Sequence, residues 1–185
     1  MSDWDILRKS CEDCNACPLR ATRTNCVFGV GNPNAKLMFV GEAPGEQEDL
    51  TGIPFVGKAG QLLDKFLYAV DLSREDVYIA NILKCRPPNN RDPLPAEEDA
   101  CIGHLRAQVR LITPRIIVCL GRISASRLIK PDFRITREHG VWFEKGPFSM
   151  TAVYHPASLL RNPSQKDAML TDMKAIRARL DALNS

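Results

Sequence analysis

The sequence predicts an α/β fold: a single-domain α/β/α sandwich over residues 1–185, built on a central, mostly parallel sheet. Three observations carry that expectation. Short apolar runs alternate with longer stretches of helical periodicity, the pattern of strands joined by crossover helices. Most of the apolar runs meet a glycine or a His-Pro step that stops a strand. No Pro/Ser/Gly-rich linker interrupts the 185 residues, a length that supports one substantial core.

Taken in order, Lys36–Val40 is a short buried strand ended by Gly41, which opens the loop Gly41-Glu42-Ala43-Pro44-Gly45. Gln61–Val70 sets Leu62, Leu63, Phe66 and Val70 at helical spacing. Val77–Leu83 is a second strand, leading to Cys85 and the Pro-rich Arg86-Pro87-Pro88-Asn89-Asn90. Pro95 then opens a helix with Glu97 and Glu98 in its first turn, where negative charge meets the positive end of the helix dipole. Cys101, Leu105, Val109 and Ile112 share its inward stripe. Arg115–Leu120 is a third strand, followed by Gly121. Phe133–Phe148 is expected as a hairpin broken at His139-Gly140, and Ser149–Tyr154 as the last core strand, stopped by His155-Pro156. A final helix carries Met169, Met173, Ile176, Leu180 and Leu183 on one side, with Ser164 as its N-cap. In this order Gly41–Gly45, Asn81–Cys85, Gly121 and His155–Pro156 all fall at the C-terminal ends of strands, the rim along which open α/β sheets bind ligands.

Composition narrows the classes further. A net charge of +3 is too small to establish a nucleic-acid partner. The stretch from His155 onward gathers Arg161, Lys166, Lys174, Arg177 and Arg179 against Asp167, Asp172 and Asp181, which fits either a solvated helix face or phosphate contacts. No segment has the apolar length of a membrane span, and Met-Ser-Asp-Trp-Asp lacks the basic start and apolar stretch of a signal peptide. The expectation is a soluble, cytoplasmic chain. In a reducing compartment its seven cysteines read as metal ligands and core residues rather than disulfides.

Several local patterns bear on chemistry. Gly52-Ile-Pro-Phe-Val-Gly57-Lys58-Ala59 nearly spells a phosphate-gripping loop, but Ala59 replaces the hydroxyl that would hold magnesium and no strand leads into it. Phe55 within that loop is either an anchor on the core or a platform on which a nucleobase stacks, an interaction worth roughly 1–3 kcal/mol. Asn81 interrupts an apolar strand; left without partners its amide would cost roughly 1–3 kcal/mol, so backbone or ligand must satisfy it. Its paired donor and acceptor match the polar edge of a pyrimidine such as uracil. His155 ends a strand where its ring can face the rim, followed by Pro156 and the small Ala157 and Ser158, which permit close approach to a phosphate. Leu159-Leu160-Arg161 then offers an apolar wedge and a cation. Cys14-x-x-Cys17, Cys85 and Cys101 form a dispersed ligand set, and spacing leaves zinc and an iron–sulfur cluster as equal candidates. Cys11 is a rival ligand; Cys119, inside a strand, reads as a core thiol.

Together these residues resemble the family 4 uracil-DNA glycosylases, the iron–sulfur branch of that superfamily. The resemblance runs from Cys14-Asn-Ala-Cys17-Pro-Leu, through Gly41-Glu-Ala-Pro-Gly-Glu-Gln-Glu-Asp49, Gly52-Ile-Pro-Phe-Val-Gly-Lys-Ala-Gly60 and Asn81-Ile-Leu-Lys-Cys-Arg-Pro-Pro-Asn-Asn-Arg91, to His155-Pro-Ala-Ser-Leu-Leu-Arg161. It implies a DNA-repair enzyme that flips deoxyuridine out of DNA and hydrolyses its N-glycosidic bond, releasing uracil and leaving an abasic site. A structural [4Fe–4S] cluster on Cys14, Cys17, Cys85 and Cys101 is implied, with no nucleotide cofactor. Phe55 would stack on the base, Asn81 would read its edge, and His155 would donate to uracil O2. Gly41 and Ala43 would line the base site, with thymine excluded near Glu48. Ala43 stands where the best-known branch has an Asp, so water activation falls to Glu42 first and Asn90 second. Pro156, Ala157, Ser158, Leu159 and Arg161 would meet DNA. The implied partner is uracil-containing DNA, single- or double-stranded, acted on by a monomer associated with the nucleoid and no membrane. The rival functions are a noncatalytic, metal-stapled nucleic-acid-binding module of the replication machinery and a nucleotide-hydrolysing enzyme.

Overall fold

The computed structural model describes residues 1–185. Its elements run α1 (Asp3–Glu12), β1 (Val30–Gly31), β2 (Leu37–Gly41), α2 (Glu46–Thr51), α3 (Lys58–Ala69), β3 (Tyr78–Asn81), α4 (Pro95–Ile112), β4 (Ile116–Leu120), α5 (Arg122–Leu128), α6 (Ile135–Glu138), β5 (Phe143–Lys145), β6 (Phe148–Val153), α7 (Pro156–Arg161) and α8 (Lys166–Asn184). The six strands form one sheet in the order β1-β3-β2-β4-β6-β5. The four inner strands are parallel, and short antiparallel strands close both edges.

The expected strands are present because their apolar runs are buried on both faces, as parallel strands under two helical layers require. Along β2 the side chains alternate: Leu37 and Phe39 join a core with Leu63 and Phe66 of α3 and Met173 and Ile176 of α8. Met38 and Val40 join the opposite core, with Ile102 and Leu105 of α4 and Ala125 of α5. The crossovers on either side of β2 therefore leave on opposite faces, which opens a crevice at its C-terminal end, beside Gly41.

Two expectations need correction. The hairpin turns at Gly146, whose φ is +57°, and pairs Phe143–Lys145 with Phe148–Met150. The segment around His139-Gly140 instead ends α6, a one-turn helix whose Arg134 N–H is capped by Glu138 Oε2 at 2.8 Å. Ser164 does not cap α8, because Pro163 starts a 3-10 turn and the Ser164 hydroxyl donates to Asn162 Oδ1 at 2.6 Å. Two of the C-terminal basic residues are tied into the fold: Arg177 donates to the carbonyls of Val70 and Asp71, and Arg179 pairs with Glu144 over the Trp142 ring, while Arg161, Lys166 and Lys174 stay exposed. Cys119 is fully buried in β4 as a core thiol, its pKa pushed up to about 12 by burial.

Candidate active site

A cavity of about 700 Å³ lies at the crevice and gathers the rim loops. Glu42, Ala43, Glu48, Phe55, Asn81, Asn90, His155, Ala157, Ser158 and Arg161 all line it. The predicted site residues thus meet in one place, apart from three. Gly41 lies behind the wall; a Cβ there would collide with Asn81 Oδ1 and the Phe55 ring, so the bare backbone makes room for both. Leu159 is fully buried among the residues of the α3–α8 core and cannot touch DNA. Pro156 is likewise turned inward as the first residue of α7. The exposed apolar side chain on this turn is Leu160, 45% exposed.

The three central side chains are held by different devices. Phe55 sits in the left-handed region (φ +54°), which costs a non-glycine residue roughly 1–2 kcal/mol. Its loop is pinned from both sides. Arg74 donates to the carbonyls of Pro54 and Phe55 and is itself paired with Asp64 at 2.7 Å. Glu48 Oε2 accepts the N–H groups of Val56 and Gly57 at 3.3 and 3.0 Å, and its Oε1 accepts that of Gly45 at 3.1 Å. Two of the amides that would cradle a phosphate, those of Val56 and Gly57, are therefore taken by a carboxylate, which argues against a nucleotide-gripping role for this loop. The Glu48 carboxylate accordingly organises one wall of the cavity.

Asn81 is 2% exposed at the end of β3, and its Oδ1 is one of two buried side-chain oxygens that find no partner; the other belongs to Thr151 in β6. Asn81 lines the cavity, and its buried oxygen has no donor within the protein, which calls for one on a ligand. His155 occupies the N-cap of α7, and its Nδ1 accepts the Ala157 N–H at 3.0 Å. Because Nδ1 accepts, the neutral ring carries its proton on Nε2. Burial, reinforced by the nearby Arg161 cation, pushes its pKa down to about 4, so the ring is neutral at physiological pH. The Phe55 and His155 ring centroids are 5.7 Å apart. Gly121, with φ +92°, passes so close that a Cβ would come within 2.9 Å of His155 Cβ.

Of the two water-activating candidates, Glu42 is the better disposed: burial, then the neighbouring Asp92, raise its pKa, improving it as a base near neutrality. Asn90 Oδ1 is engaged by Arg86 Nε at 2.7 Å, leaving only its amide N–H groups free. Three exposed cations at the mouth, Lys58, Arg122 and Arg161, make no ion pair. Arg122 escaped the sequence reading, although it directly follows the strand-ending Gly121 and the same rim rule locates it. Arg74 and the anchoring role of Glu48 carry no local signal.

A second, smaller cavity is ringed by Cys14, Cys17, Cys85, Cys101 and Cys11, with Lys84 and His104. No three Cys, His, Asp or Glu side chains converge as a site for a single metal ion. Thiols around a void are the donor type that both zinc and an iron–sulfur cluster take. Two sulfurs already receive the N–H donors typical of cluster thiolates: Arg23 Nη1 to Cys85 Sγ at 3.2 Å and the Lys84 N–H to Cys101 Sγ at 3.3 Å. Cys11 Sγ instead lies 3.2 Å from Cys26 Sγ, a pairing that raises the Cys11 pKa and lowers that of Cys26.

The Uracil DNA glycosylase superfamily model matches residues 28–180. A Type-4 uracil-DNA glycosylase of Archaeoglobus fulgidus is 45% identical over 184 residues, covering 95% of this chain and 92% of that protein. The Type-4 uracil-DNA glycosylase of Thermotoga maritima is 45% identical over 166 residues, covering 88% and 85%. That of Sulfurisphaera tokodaii is 42% identical over 186 residues, covering 96% and 84%.

Proposed function

Since this chain belongs to the uracil DNA glycosylase superfamily, we propose that it excises uracil from DNA by hydrolysing the N-glycosidic bond. The observation that carries this is the pairing, in one cavity, of an unpartnered Asn81 Oδ1 with a neutral His155 whose free proton is on Nε2. An extruded deoxyuridine stacks on Phe55 and offers its N3–H to Asn81 Oδ1, while the Asn81 amide N–H meets O4. As the N1–C1′ bond breaks, its electron pair passes into the base. His155 Nε2–H donates to O2, where charge gathers, stabilising the departing anion in a water-poor setting. The sugar becomes oxocarbenium-like, water oxygen adds to C1′, and its proton passes to Glu42, with Asn90 the lesser candidate. Lys58, Arg122 and Arg161 hold the flanking phosphates, and of the Leu159-Leu160 pair it is Leu160 that takes the wedge position. The uracil anion takes up a proton from solvent as Glu42 releases its own, so the products are free uracil and an abasic site.

Cys14, Cys17, Cys85 and Cys101 would hold a [4Fe–4S] cluster, which supplies a structural cross-link between the N-terminal arm and α4. The substrate is uracil-bearing DNA inside the cell, and no helix is long and apolar enough to cross a membrane. The test is a uracil-containing oligonucleotide incubated with the protein in chelator and then treated with alkali. Strand scission at the uracil supports the reading. Intact strands with brown, iron-loaded protein overturn it in favour of a noncatalytic DNA-binding module. Colourless protein that holds zinc instead overturns the cluster alone.

A further inference from the structure

Lys84 is the most deeply buried cation in the chain, 1% exposed, and the chemistry above does not use it. Its ammonium has three N–H donors and meets three acceptors: Gln108 Oε1 at 2.7 Å, the Asn81 carbonyl at 2.9 Å and the Phe28 carbonyl at 3.2 Å. A buried cation satisfied this fully fixes its neighbours, because breaking any one bond strands a charge away from water. Its own backbone N–H points the other way, to Cys101 Sγ, and the next residue is Cys85. Lys84 therefore touches the cysteine cavity with its main chain and the base-reading residue with its side chain.

The Asn81 side chain has no tie for its Oδ1 within the protein, so its aim depends on its backbone. That backbone leaves β3 at Asn81, and the following Ile82 and Leu83 N–H groups are hooked to the carbonyls of Gly41 and Glu42, at 3.0 Å each. The Lys84 side chain then folds back to hold the Asn81 carbonyl, closing the segment on itself. Gln108 completes the frame from α4, the helix that also carries Cys101.

We propose that Lys84 is a positioning residue for base recognition, tying the Asn81 backbone to the cysteine centre so that order in one sets the aim of the other. This rests on the proposed reading of uracil by Asn81. The test compares two oligonucleotides: one with 2′-fluoro-2′-deoxyuridine, which resists cleavage, and one with a tetrahydrofuran abasic site, which has no base to read. Wild-type protein that does not prefer the fluorinated nucleotide overturns the base-reading assignment, and this inference with it. Given that preference, Lys84→Met should weaken binding of the fluorinated oligonucleotide about tenfold and leave the abasic one unchanged, in protein with wild-type visible absorbance and iron content. Equal affinities for wild type and variant, or parallel loss on both oligonucleotides, refute the proposal. Where Lys84→Met fails to fold, Gln108→Met keeps the cation but removes one acceptor. A selective loss of about threefold is then expected, and no selective loss refutes the proposal.

Discussion

Replacing His155 separates two jobs that one ring performs. In the proposed reaction its Nε2–H faces the charge that develops on the leaving base, and removing one such preorganised donor costs about 2.7–4 kcal/mol, or 100- to 1,000-fold in rate. Its Nδ1 caps α7 through the Ala157 N–H at 3.0 Å, and loss of an N-cap acceptor costs about 1 kcal/mol of stability. His155→Ala loses both. His155→Asn keeps an acceptor of suitable reach, since asparagine is among the best N-cap residues, but places no donor at the Nε2 position. The expected outcome is that both variants lose 100- to 1,000-fold in single-turnover excision, while only His155→Ala melts measurably below wild type. The assay is alkali cleavage of a labelled uracil oligonucleotide under enzyme excess, alongside thermal unfolding. A His155→Asn enzyme with the wild-type single-turnover rate would show that the Nε2 proton does not stabilise the leaving group.

The remaining expectations follow from the same geometry. Asn81→Leu removes an unpartnered buried oxygen, so thermal stability should hold or rise while kcat/KM for uracil DNA falls by at least tenfold, roughly the worth of a lost hydrogen bond to a site built for it; a stability loss without an activity loss contradicts the assignment. Arg74→Met frees the Pro54 and Phe55 carbonyls and should raise KM more than it lowers the single-turnover rate at saturation, by relaxing the strained Phe55 platform; unchanged KM refutes this. Acid should destabilise the fold through His155. Its folded pKa of about 4 lies below the ordinary 6.5, so the unfolded chain binds a proton that the folded chain refuses. The stabilisation is complete above about pH 6.5 and is lost as pH falls toward 4, amounting to about 3 kcal/mol in full. Between pH 7 and pH 5, urea unfolding of wild type should therefore lose roughly 2 kcal/mol more than His155→Asn, and parallel curves would refute the shift.

The sequence made the inner sheet legible because parallel strands are apolar on both faces: Leu37–Gly41 and Ile116–Leu120 are fully buried runs that have no other use in a chain this size. Once their ends were placed, the rim rule brought Asn81 and His155 together with the Gly41–Gly45 loop without any knowledge of contacts, whereas Phe55 joined them only through the family resemblance. What stayed hidden had short or nonlocal causes. Strand β1 is two residues long and exists only as a partner of β3. Helix α1 starts at a Ser2/Asp5 capping box in a polar stretch whose apolar stripe is sparse. The choice between Leu159 and Leu160 turns on about 100° of helical rotation, which a two-residue apolar run cannot reveal. Arg74 acts on a loop some twenty residues away, and nothing in its neighbourhood marks it.

The site concentrates two local penalties, a left-handed Phe55 and an oxygen on Asn81 without a partner, and the surrounding structure explains how both persist. Strain survives only where neighbours over-determine the conformation, and here the restraints form a continuous set. Glu48 and Arg74 fix the Phe55 loop from opposite sides, and Gly60 admits the Phe55 carbonyl where any Cβ would collide with it. Asp49, next to Glu48 on α2, accepts the N–H groups of Thr24 and Asn25 at 2.8 and 3.2 Å. That segment reaches back to the cysteine cavity through Arg23, which binds Cys85 Sγ and the Glu12 carbonyl. The same cavity grips Asn81 through Lys84. Both walls of the proposed base site are thus anchored to the cysteine centre by separate routes, Phe55 through α2 and Asn81 through Lys84. A cluster that takes no part in bond breaking would still set the spacing of Phe55 and Asn81. Its removal is therefore expected to weaken base recognition before it affects the sheet, because the four inner strands are buried independently of it.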